Sequence, residues 1–564
     1  MKTLWTSTVL CRTIGITGAV LSLVSMIIAS WCYGPAIFKS YLLATAYGQQ
    51  AAAGVTTPGA GTFSDHTVAA NLAITHTTYT KTELNMMISG AAAGDFNNDG
   101  WQDLFVLGGG ATADALYINQ QDGSFREEGA AWGLADHQRG SGAAVGDYNN
   151  DGWLDIFVTS HGITETASIG HHRLYRNNHD GSFTDVAQAA GVNQSSPTMP
   201  DGFGASFGDY DLDGDLDLFV TGWQQGSKGN RLFRNNGNGT FSDVTNSSGA
   251  FNSGLRGFSP CFADMNGDRY PELLVAGDFS TTKYFVNNGN GSFTDQSVTA
   301  GVAIPIYGMG STVADLNNDG RLDWYVTSIY HATFGGEGNR LFINQGNDQF
   351  VESAAAAGTD NGRWGWGTAA VDLNHDGWVD IAETNGWPLE AQFRDQPARL
   401  WMNQGNDHFS EEAAAAGLDH NLDGRGLLAF DYDNDGDEDI VITSNNGRLY
   451  LFRNEITGSD AHWLRIFLDT SQRADLAPNG IGARVQVSIG GNSYVRTIQA
   501  CANYLSQSEL SAHFGLGSAS VADEVRVEWP NGEVTTLTNI DLNQTLTIAP
   551  SVRFYLPIIA TTLQ

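Results

Sequence analysis

The stretch Asp209-Tyr-Asp-Leu-Asp-Gly-Asp-Leu-Asp217 places five aspartates within nine residues. Carboxylates this close together repel one another unless a cation lies among them. Side-chain oxygens at positions 1, 3, 5 and 9, with glycine at position 6 for the sharp turn, suit a hard divalent cation. Ca²⁺ is the best candidate because it accepts about six to eight oxygens in flexible geometry. The apolar run Leu218-Phe-Val220 follows directly, so the loop is predicted to lead into a β-strand.

This pattern occurs seven times, and successive copies begin 51 to 62 residues apart. We predict up to seven Ca²⁺ sites, in which the side chains at positions 1, 3, 5 and 9 are ligands, joined in the third copy by the backbone carbonyl of Asp215. The predicted ligands are Asp95, Asn97, Asp99 and Asp103; Asp147, Asn149, Asp151 and Asp155; Asp209, Asp211, Asp213 and Asp217; Asp264, Asn266, Asp268 and Glu272; Asp315, Asn317, Asp319 and Asp323; Asp372, Asn374, Asp376 and Asp380; and Asp431, Asp433, Asp435 and Asp439.

The fourth copy is expected to bind calcium most weakly. Arg269 replaces its loop glycine and Glu272 replaces its last aspartate. The arginine brings a positive charge close to the site, which disfavours a bound cation.

An EF-hand also begins with this acidic pattern, but it requires a glutamate at position 12 and helices on both sides. Glu383 is the one acid at position 12 among the seven copies, and the closing carboxylate stands instead at position 9, directly before a strand. The copies are therefore interpreted as calcium-binding β-hairpin loops. The alternative is a set of tight Asp/Asn/Gly turns without metal.

The net charge of −34 comes in large part from these loops, which hold 26 of the 62 acidic residues. Seven bound Ca²⁺ ions would bring the net charge to about −20. An acidic chain of this kind is not expected to bind nucleic acid, which requires a basic surface.

Each repeat predicts four short strands. The first is a small-residue segment, and the acidic loop connects it to the second, which is apolar. The third is an Arg-Leu segment, and the fourth is a tail of the Gly-Ser-Phe type. Four-stranded units of this length are typical of propeller blades. The fold class is therefore all-β: a seven-bladed β-propeller over residues 61–455. The first phenylalanine tail, at Phe63, precedes the first acidic loop, and the last repeat ends at Asn454 without a tail. Residues 61–67 are therefore predicted to complete the blade built from 425–454 and to close the ring.

The remaining segments differ from the repeats. Residues 1–46 are predicted to be a signal peptide or an uncleaved signal anchor, residues 47–60 a linker, residues 460–550 a small β domain and residues 551–564 an apolar tail. Cys11 and Cys32 fall in the leader, whereas Cys261 and Cys501 lie far apart in the body. This spacing is not a disulfide framework, so we expect a buried Cys261 and an unpaired Cys501.

The repeats resemble the FG-GAP/VCBS repeats of integrin-α-type propellers. The C-terminal region resembles the ASPIC/UnbV domain through Asn479-Gly-Ile-Gly-Ala-Arg484, Tyr504-Leu-Ser-Gln507, His513-Phe-Gly-Leu-Gly517 and Val525-Arg-Val-Glu-Trp-Pro-Asn-Gly532. Together they look like the cartilage acidic protein (CRTAC) family. The resemblance implies a secreted or cell-surface protein that binds calcium and serves in adhesion or matrix interaction, although one fold hosts many functions.

No catalytic motif is present in the sequence, so the chain is not expected to be an enzyme. Loop aromatics are predicted to gather at the channel mouth opposite the acidic loops, with charged residues beside them, and to bind an extracellular protein or a glycan. These residues are Trp223, Tyr330, His331, Phe334 and Trp387, with Arg139, Asp201, Arg256, Tyr307, Trp364, Trp366 and Arg425 before the inner strands. Three alternatives stay open: ordinary loop packing, a carbohydrate-active lyase or hydrolase with its site at this mouth, and a purely structural surface protein. Membrane contact is expected only through the possible N-terminal anchor.

Overall fold

The computed structural model describes residues 62–80, 82–161, 171–194, 201–224, 229–331, 336–418, 420–458 and 460–551. The predicted leader, the linker and all but the first residue of the tail lie outside these ranges, as does Phe334 of the predicted mouth. Among the helices within them, none combines the length and the apolar character needed to cross a membrane.

The repeat region forms four-stranded antiparallel sheets, one for each acidic loop. β1 (Phe63–Asp65) precedes them. In chain order the first five sheets are β2 (Ala91–Gly94), β3 (Asp103–Val106), β4 (Ala115–Asn119) and β5 (Phe125–Glu127); β6 (Gly140–Gly146), β7 (Asp155–Ser160), β8 (Arg173–Asn177) and β9 (Phe183–Asp185); β10 (Ala205–Gly208), β11 (Asp217–Val220), β12 (Arg231–Asn235) and β13 (Phe241–Asp243); β14 (Gly257–Ala263), β15 (Glu272–Gly277), β16 (Lys283–Asn287) and β17 (Phe293–Asp295); and β18 (Ser311–Ala314), β19 (Asp323–Val326), β22 (Arg340–Asn344) and β23 (Phe350–Glu352), with β20 (Tyr330–His331) and β21 (Gly336–Glu337) as a small hairpin between them.

The sixth sheet holds β24 (Gly365–Val371), β25 (Asp380–Asn385), β27 (Arg399–Asn403) and β28 (Phe409–Glu411), while β26 (Gln396–Pro397) pairs with β29 (Asn421–Leu422). The seventh holds β30 (Gly424–Phe430), β31 (Asp439–Ser444) and β32 (Tyr450–Asn454). Its fourth strand is β1, which pairs antiparallel with β32 and sets Phe63 opposite Asn454. This pairing confirms the predicted closure by the N-terminal tail.

The inner strand of each sheet contacts the inner strand of the next, and β30 contacts β2. The repeats therefore form a closed ring, consistent with a β-propeller, and the all-β class is confirmed. Buried side chains of neighbouring sheets pack together between them, including Phe125 and Phe183 of the tails. The helices within the described ranges are single turns, α1 (Glu83–Met86), α2 (Ala187–Ala190), α3 (Ala354–Ala357) and α4 (Ala413–Ala416), with a 3₁₀ turn at Pro478–Gly480.

The C-terminal region contains two further sheets. β33 (His462–Leu468) lies between an antiparallel partner, β36 (Ala512–Gly517), and a parallel partner, β39 (Gln544–Ile548). The second sheet has the order β35 (Asn492–Thr497), β34 (Arg484–Ile489), β37 (Val521–Glu528) and β38 (Val534–Asp541). This region and the repeats belong to one compact unit.

Residues 499–509, here called the channel segment, enter the middle of the ring. Their backbone bonds the free edges of inner strands: Gln507 N–H donates to Ala91 O at 3.1 Å, and Ala143 N–H donates to Leu505 O at 3.1 Å. Further bonds reach the inner strands of the third, fourth, sixth and seventh sheets. The inner strand of a sheet has one edge without a neighbouring strand, and the backbone N–H and C=O groups on that edge need hydrogen-bond partners when they are buried. The channel segment thus completes the hydrogen bonding of six sheets.

Cys261 of β14 and Cys501 of the channel segment form a disulfide across 240 residues of sequence. The expectation of an unpaired Cys501 is therefore wrong. Burial of both residues, at 0% and 7% exposure, was anticipated only for Cys261. The two cysteines meet because the channel segment passes along the inner strand, which their sequence spacing does not indicate.

Candidate metal centres

The position-9 carboxylate anchors each acidic loop to its sheet. Asp217 Oδ2 accepts the N–H of Tyr210 at 3.1 Å, and its Oδ1 accepts the N–H of Asn235 on the third strand at 2.8 Å. The same pair of bonds recurs in every copy. These acids therefore have a structural role in addition to any role as ligands.

The third-strand asparagine of each sheet is a functional residue that the sequence analysis missed. Asn235 Nδ2 donates to Tyr148 O, in the loop of the preceding sheet, at 2.8 Å. The other six, at distances of 2.7–3.0 Å, are Asn119, Asn177, Asn287, Asn344, Asn403 and Asn454. The available signal was an asparagine that stands six residues before the tail phenylalanine in each of the first six sheets. It joins every loop to its neighbour around the ring.

The position-1 carboxylate shapes the loop itself. Asp209 Oδ1 accepts the N–H of Asp213 at 3.1 Å, and Oδ2 accepts the N–H of Gly214 at 2.9 Å. Gly214 adopts φ +92°, a conformation that glycine takes without steric cost. The loop backbone thus turns its N–H groups toward the first carboxylate and brings the other side-chain oxygens to the same side.

Position 3 gives the clearest indication that these loops can hold a cation. Buried oxygens without a hydrogen-bond partner occur there in three loops, at Asn149 Oδ1, Asp211 Oδ1 and Asp433 Oδ1. Buried polar atoms are normally paired. Carboxylate oxygens of Asp209, Asp211 and Asp213 lie within 4.8 Å of one another, as do those of Asp431, Asp433 and Asp439. In these two loops the residues fit a divalent cation bound through oxygen.

The acids of the third loop are buried close to one another, which shifts their pKa values upward. Burial, together with the charges of Asp213 and Asp211, raises the pKa of Asp209 to about 7. Burial and the charge of Asp213 raise the pKa of Asp211 to about 6. Burial, with the charges of Asp211 and Asp209, raises the pKa of Asp217 well above its usual value. A cation among these groups would favour their ionised forms.

The fourth loop keeps the shape of the others despite its substitutions. Arg269 adopts φ +81°, and its N–H donates to Asp264 Oδ2 at 2.9 Å, as glycine does elsewhere. Glu272 replaces aspartate at position 9 and accepts the N–H of Met265 at 2.9 Å. A side chain at positive φ is strained. The weak binding expected of this site stays a prediction.

The seventh loop receives two guanidinium groups. Arg453, on β32, contacts Asp433 at 2.6 Å and Asp435 at 2.7 Å. Arg465, on β33, contacts Asp431 at 3.2 Å. The second contact comes from the C-terminal region, and no sequence pattern indicated it.

The C-terminal region lies on the face that carries the acidic loops. Besides Arg465, Gly515 N–H donates to Asp372 Oδ2 at 3.1 Å, and His513 Nε2 lies 2.9 Å from Gly436 O. His513 thus has a structural role at this contact. Several of the predicted metal loops are therefore also part of an interface within the chain.

A cavity of about 130 Å³ remains beside the channel segment, lined in part by Thr312, Glu438, Arg496, Glu509 and His513. Arg496 Nη2 and His513 Nδ1 are buried without hydrogen-bond partners. Polar atoms in such spaces are ordinarily satisfied by ordered water, and the cavity has room for several molecules.

The predicted aromatic mouth does assemble, but most of it is packed. Trp366 and Trp387 are buried, and Trp223, Tyr307 and Trp364 pack against the same cluster. Tyr504 at the tip of the channel segment lies 5.1 Å from Trp366, ring centre to ring centre. Its hydroxyl donates to Met87 O at 2.8 Å. The channel segment fills the space that a ligand was expected to occupy.

The charged residues of the mouth are likewise engaged. Arg425 is fully buried, stacks on Trp366 at 4.4 Å and donates to Met86 O at 2.6 Å. Asp201 accepts the N–H groups of Trp223 and Gln224. Arg256 lies 4.7 Å from the ring centre of Phe279. Tyr330 is 41% exposed, whereas the buried aromatics are not accessible to a ligand in this conformation.

The repeats match the FG-GAP-like repeat family over residues 95–158, 162–220, 209–275, 264–326 and 329–382, half of the chain, and residues 474–553 match the ASPIC and UnbV family. Cartilage acidic protein 1 of Mus musculus is 27% identical over 261 residues, 45% of this chain and 38% of that protein. The Homo sapiens protein is 26% identical over 260 residues, 45% of this chain and 37% of that protein. The match thus spans about two fifths of the length of these curated relatives.

Among solved structures, rhamnogalacturonan lyase YesW is similar over 65% of this chain and 72% of that chain, with 14% identity and a TM-score of 0.35. A similarity at this TM-score does not indicate a shared activity. The chain belongs to the FG-GAP-like repeat proteins, carries a C-terminal ASPIC and UnbV domain, and is related to cartilage acidic protein 1.

Proposed function

We propose that this chain is an extracytoplasmic calcium-binding protein that acts as an adhesion or interaction module for an extracellular protein or glycan. The main support for calcium binding comes from the third loop. There Asp211 Oδ1 is buried without a hydrogen-bond partner beside the carboxylates of Asp209 and Asp213. Membership of the FG-GAP-like repeat family supports it.

Within each loop the side-chain oxygens at positions 1, 3, 5 and 9 would hold the ion, joined in the third loop by the backbone carbonyl of Asp215. Calcium bound there would neutralise the acids and fix the hairpin between the first two strands of each sheet. The position-9 carboxylate holds the loop to the third strand by a hydrogen bond. The loop conformation therefore does not depend on the ion alone, and the bound ion would stabilise it further.

The disulfide between Cys261 and Cys501 supports an extracytoplasmic location, because structural disulfides persist mainly in oxidising compartments. We place the interaction module ahead of a carbohydrate-active enzyme, because the aromatics expected to form an enzyme cleft are packed against the channel segment.

The calcium proposal is tested by thermal unfolding of the full chain in calcium and in excess chelator. Each site filled at tenfold excess over its dissociation constant would stabilise the protein by about 1.4 kcal/mol. Several sites together should produce a clear rise in melting temperature. Magnesium at equal ionic strength is the control, since it tolerates such flexible sites poorly. Identical melting curves in calcium and chelator would refute the proposal.

The interaction proposal is tested by a screen of glycans and matrix proteins against the calcium-loaded chain. We expect selective binding that disappears with chelator. A screen without binders would favour a purely structural surface protein. Release of sugar fragments from a polysaccharide panel would favour the enzyme instead.

A further inference from the structure

Arg465 links the C-terminal domain to one acidic loop. Its guanidinium donates to Glu509 through Nε at 2.9 Å and also through Nη2. Its Nη1 donates to Asp431 Oδ2 at 3.2 Å and to Asn434 Oδ1 at 2.7 Å. The side chains of Arg465, Asp431 and Glu509 are 1%, 0% and 2% exposed, so water screens these charges little.

Asp431 is the position-1 residue of the seventh loop. The oxygen that Arg465 contacts also accepts the N–H of Gly436 at 3.0 Å. Among the described residues of the seven loops, this is the one predicted ligand that pairs with an arginine of the C-terminal domain. The loop holds six acids, and Glu509 and Glu455 also pair with Arg465 and Arg453, so carboxyl groups remain in excess.

We propose that Arg465 sets the calcium affinity of the seventh loop and thereby couples that site to the seating of the C-terminal domain. The proposal rests on the calcium function proposed above. A fixed positive charge on a ligand carboxylate repels a second cation, so Arg465 lowers calcium affinity at this loop. Because coupling is reciprocal, calcium in the seventh loop weakens the contact between Arg465 and Asp431.

The test is calcium titration calorimetry on the full chain with Arg465→Gln. Removing the charge should tighten binding at one site by about tenfold, the scale expected for a nearby buried charge. The calcium-free variant should be less stable, because Glu509 loses its partner. The calcium-induced rise in melting temperature should therefore be larger than in the unmodified protein.

Two variants serve as controls. Arg465→Lys keeps the charge and should retain the original affinity. Arg526→Gln removes an arginine that pairs with Glu528 within the C-terminal domain and should leave calcium binding unchanged. Adding Asp433→Ala to Arg465→Gln should abolish the gain, which assigns it to the seventh loop.

Arg453→Gln covers the case in which Arg465→Gln fails to fold. Arg453 contacts the same loop but is 25% exposed and lies outside the domain contact, so this variant should fold and show a smaller gain. If the unmodified chain binds calcium and the foldable variants bind it identically, the coupling proposal is overturned. If the unmodified chain binds no calcium, the proposed function itself fails.

Discussion

The third and seventh acidic loops carry the most acids, five and six, yet their surroundings differ. Among the described residues, no arginine or lysine forms an ion pair with the third loop, and the C-terminal domain approaches it at the backbone of Ala474, directly against Gly214. The seventh loop is contacted by Arg453 and Arg465. Burial with like-charge neighbours raises the pKa of Asp209 to about 7. Burial raises that of Asp431 to about 7 as well, although Arg465 opposes the shift.

The number of acids in a loop therefore does not by itself predict how strongly the loop binds calcium. Among the described residues the third loop has no ion-paired arginine or lysine, and Arg234 only partly opposes the rise that burial and Asp213 cause in the pKa of Asp211. The seventh loop is partly balanced by the protein's own arginines. The repeated motif sets the geometry of each loop, whereas the neighbouring residues set how much a metal ion adds.

Removing the disulfide should have the largest effect. The double variant Cys261→Ala/Cys501→Ala frees the channel segment and should lower the free energy of unfolding by about 2–4 kcal/mol. Hydrogen exchange should accelerate in the channel segment and in the seventh loop, where the C-terminal domain is held by Arg465. The third loop should change less. Unchanged unfolding, or equal acceleration in both loops, would break the comparison.

Glu383 is a buried carboxyl outside the predicted ligand sets, so it shows the effect of burial on a pKa without the neighbouring acids of a loop. Its Oε2 accepts bonds from Asn339 at 2.8 Å and Tyr325 at 2.9 Å, and burial raises its pKa to about 7. Because the folded pKa lies above the unfolded value, folding favours the protonated form. This contribution is complete below about pH 4.5 and is lost as the pH rises through about 7.

Glu383→Gln should therefore flatten the pH dependence of stability. Between pH 4.5 and 8 the unmodified protein should lose up to about 3 kcal/mol relative to the variant, as follows from the size of the pKa shift. Denaturant unfolding at several pH values in excess calcium measures the difference. Parallel curves for the two proteins would show that this carboxyl does not titrate as inferred.

Asp211→Ala and Asp433→Ala compare the two loops at the same position. Each removes a side chain with an oxygen that is buried without a partner. Asp211→Ala should reduce the calcium-dependent stabilisation by about 1 kcal/mol, close to the contribution of one site. Asp433→Ala should reduce it less, since arginines already balance part of that loop's charge. Equal losses in thermal unfolding would contradict the distinction.

The repeated sequence pattern predicted the all-β class, the four-stranded sheets and the closure of the ring by Phe63. These predictions were correct because they depend on local patterns that recur along the chain. The last repeat lacks a phenylalanine tail and the first tail precedes the first acidic loop, so these two segments were expected to pair. The third-strand asparagines carried the same kind of signal, but their role required knowing which sheets are neighbours.

The remainder depends on contacts between distant residues. Cys261 and Cys501 meet because residues 499–509 enter the ring, and neither cysteine has a local pattern that indicates this. The same entry converts the predicted aromatic mouth into packed core. Arg465 is a single basic residue in an apolar strand, and its position over Asp431 follows from domain docking.

Equilibrium dialysis of the full chain and of Asp211→Ala against radioactive calcium tests the proposed metal sites most directly. We predict several ions bound per unmodified chain and one fewer in the variant, because alanine leaves the third loop without a position-3 ligand while Asp217 still anchors the loop to its sheet. Fewer than one ion bound per unmodified chain, or the same number in both proteins, would contradict this prediction.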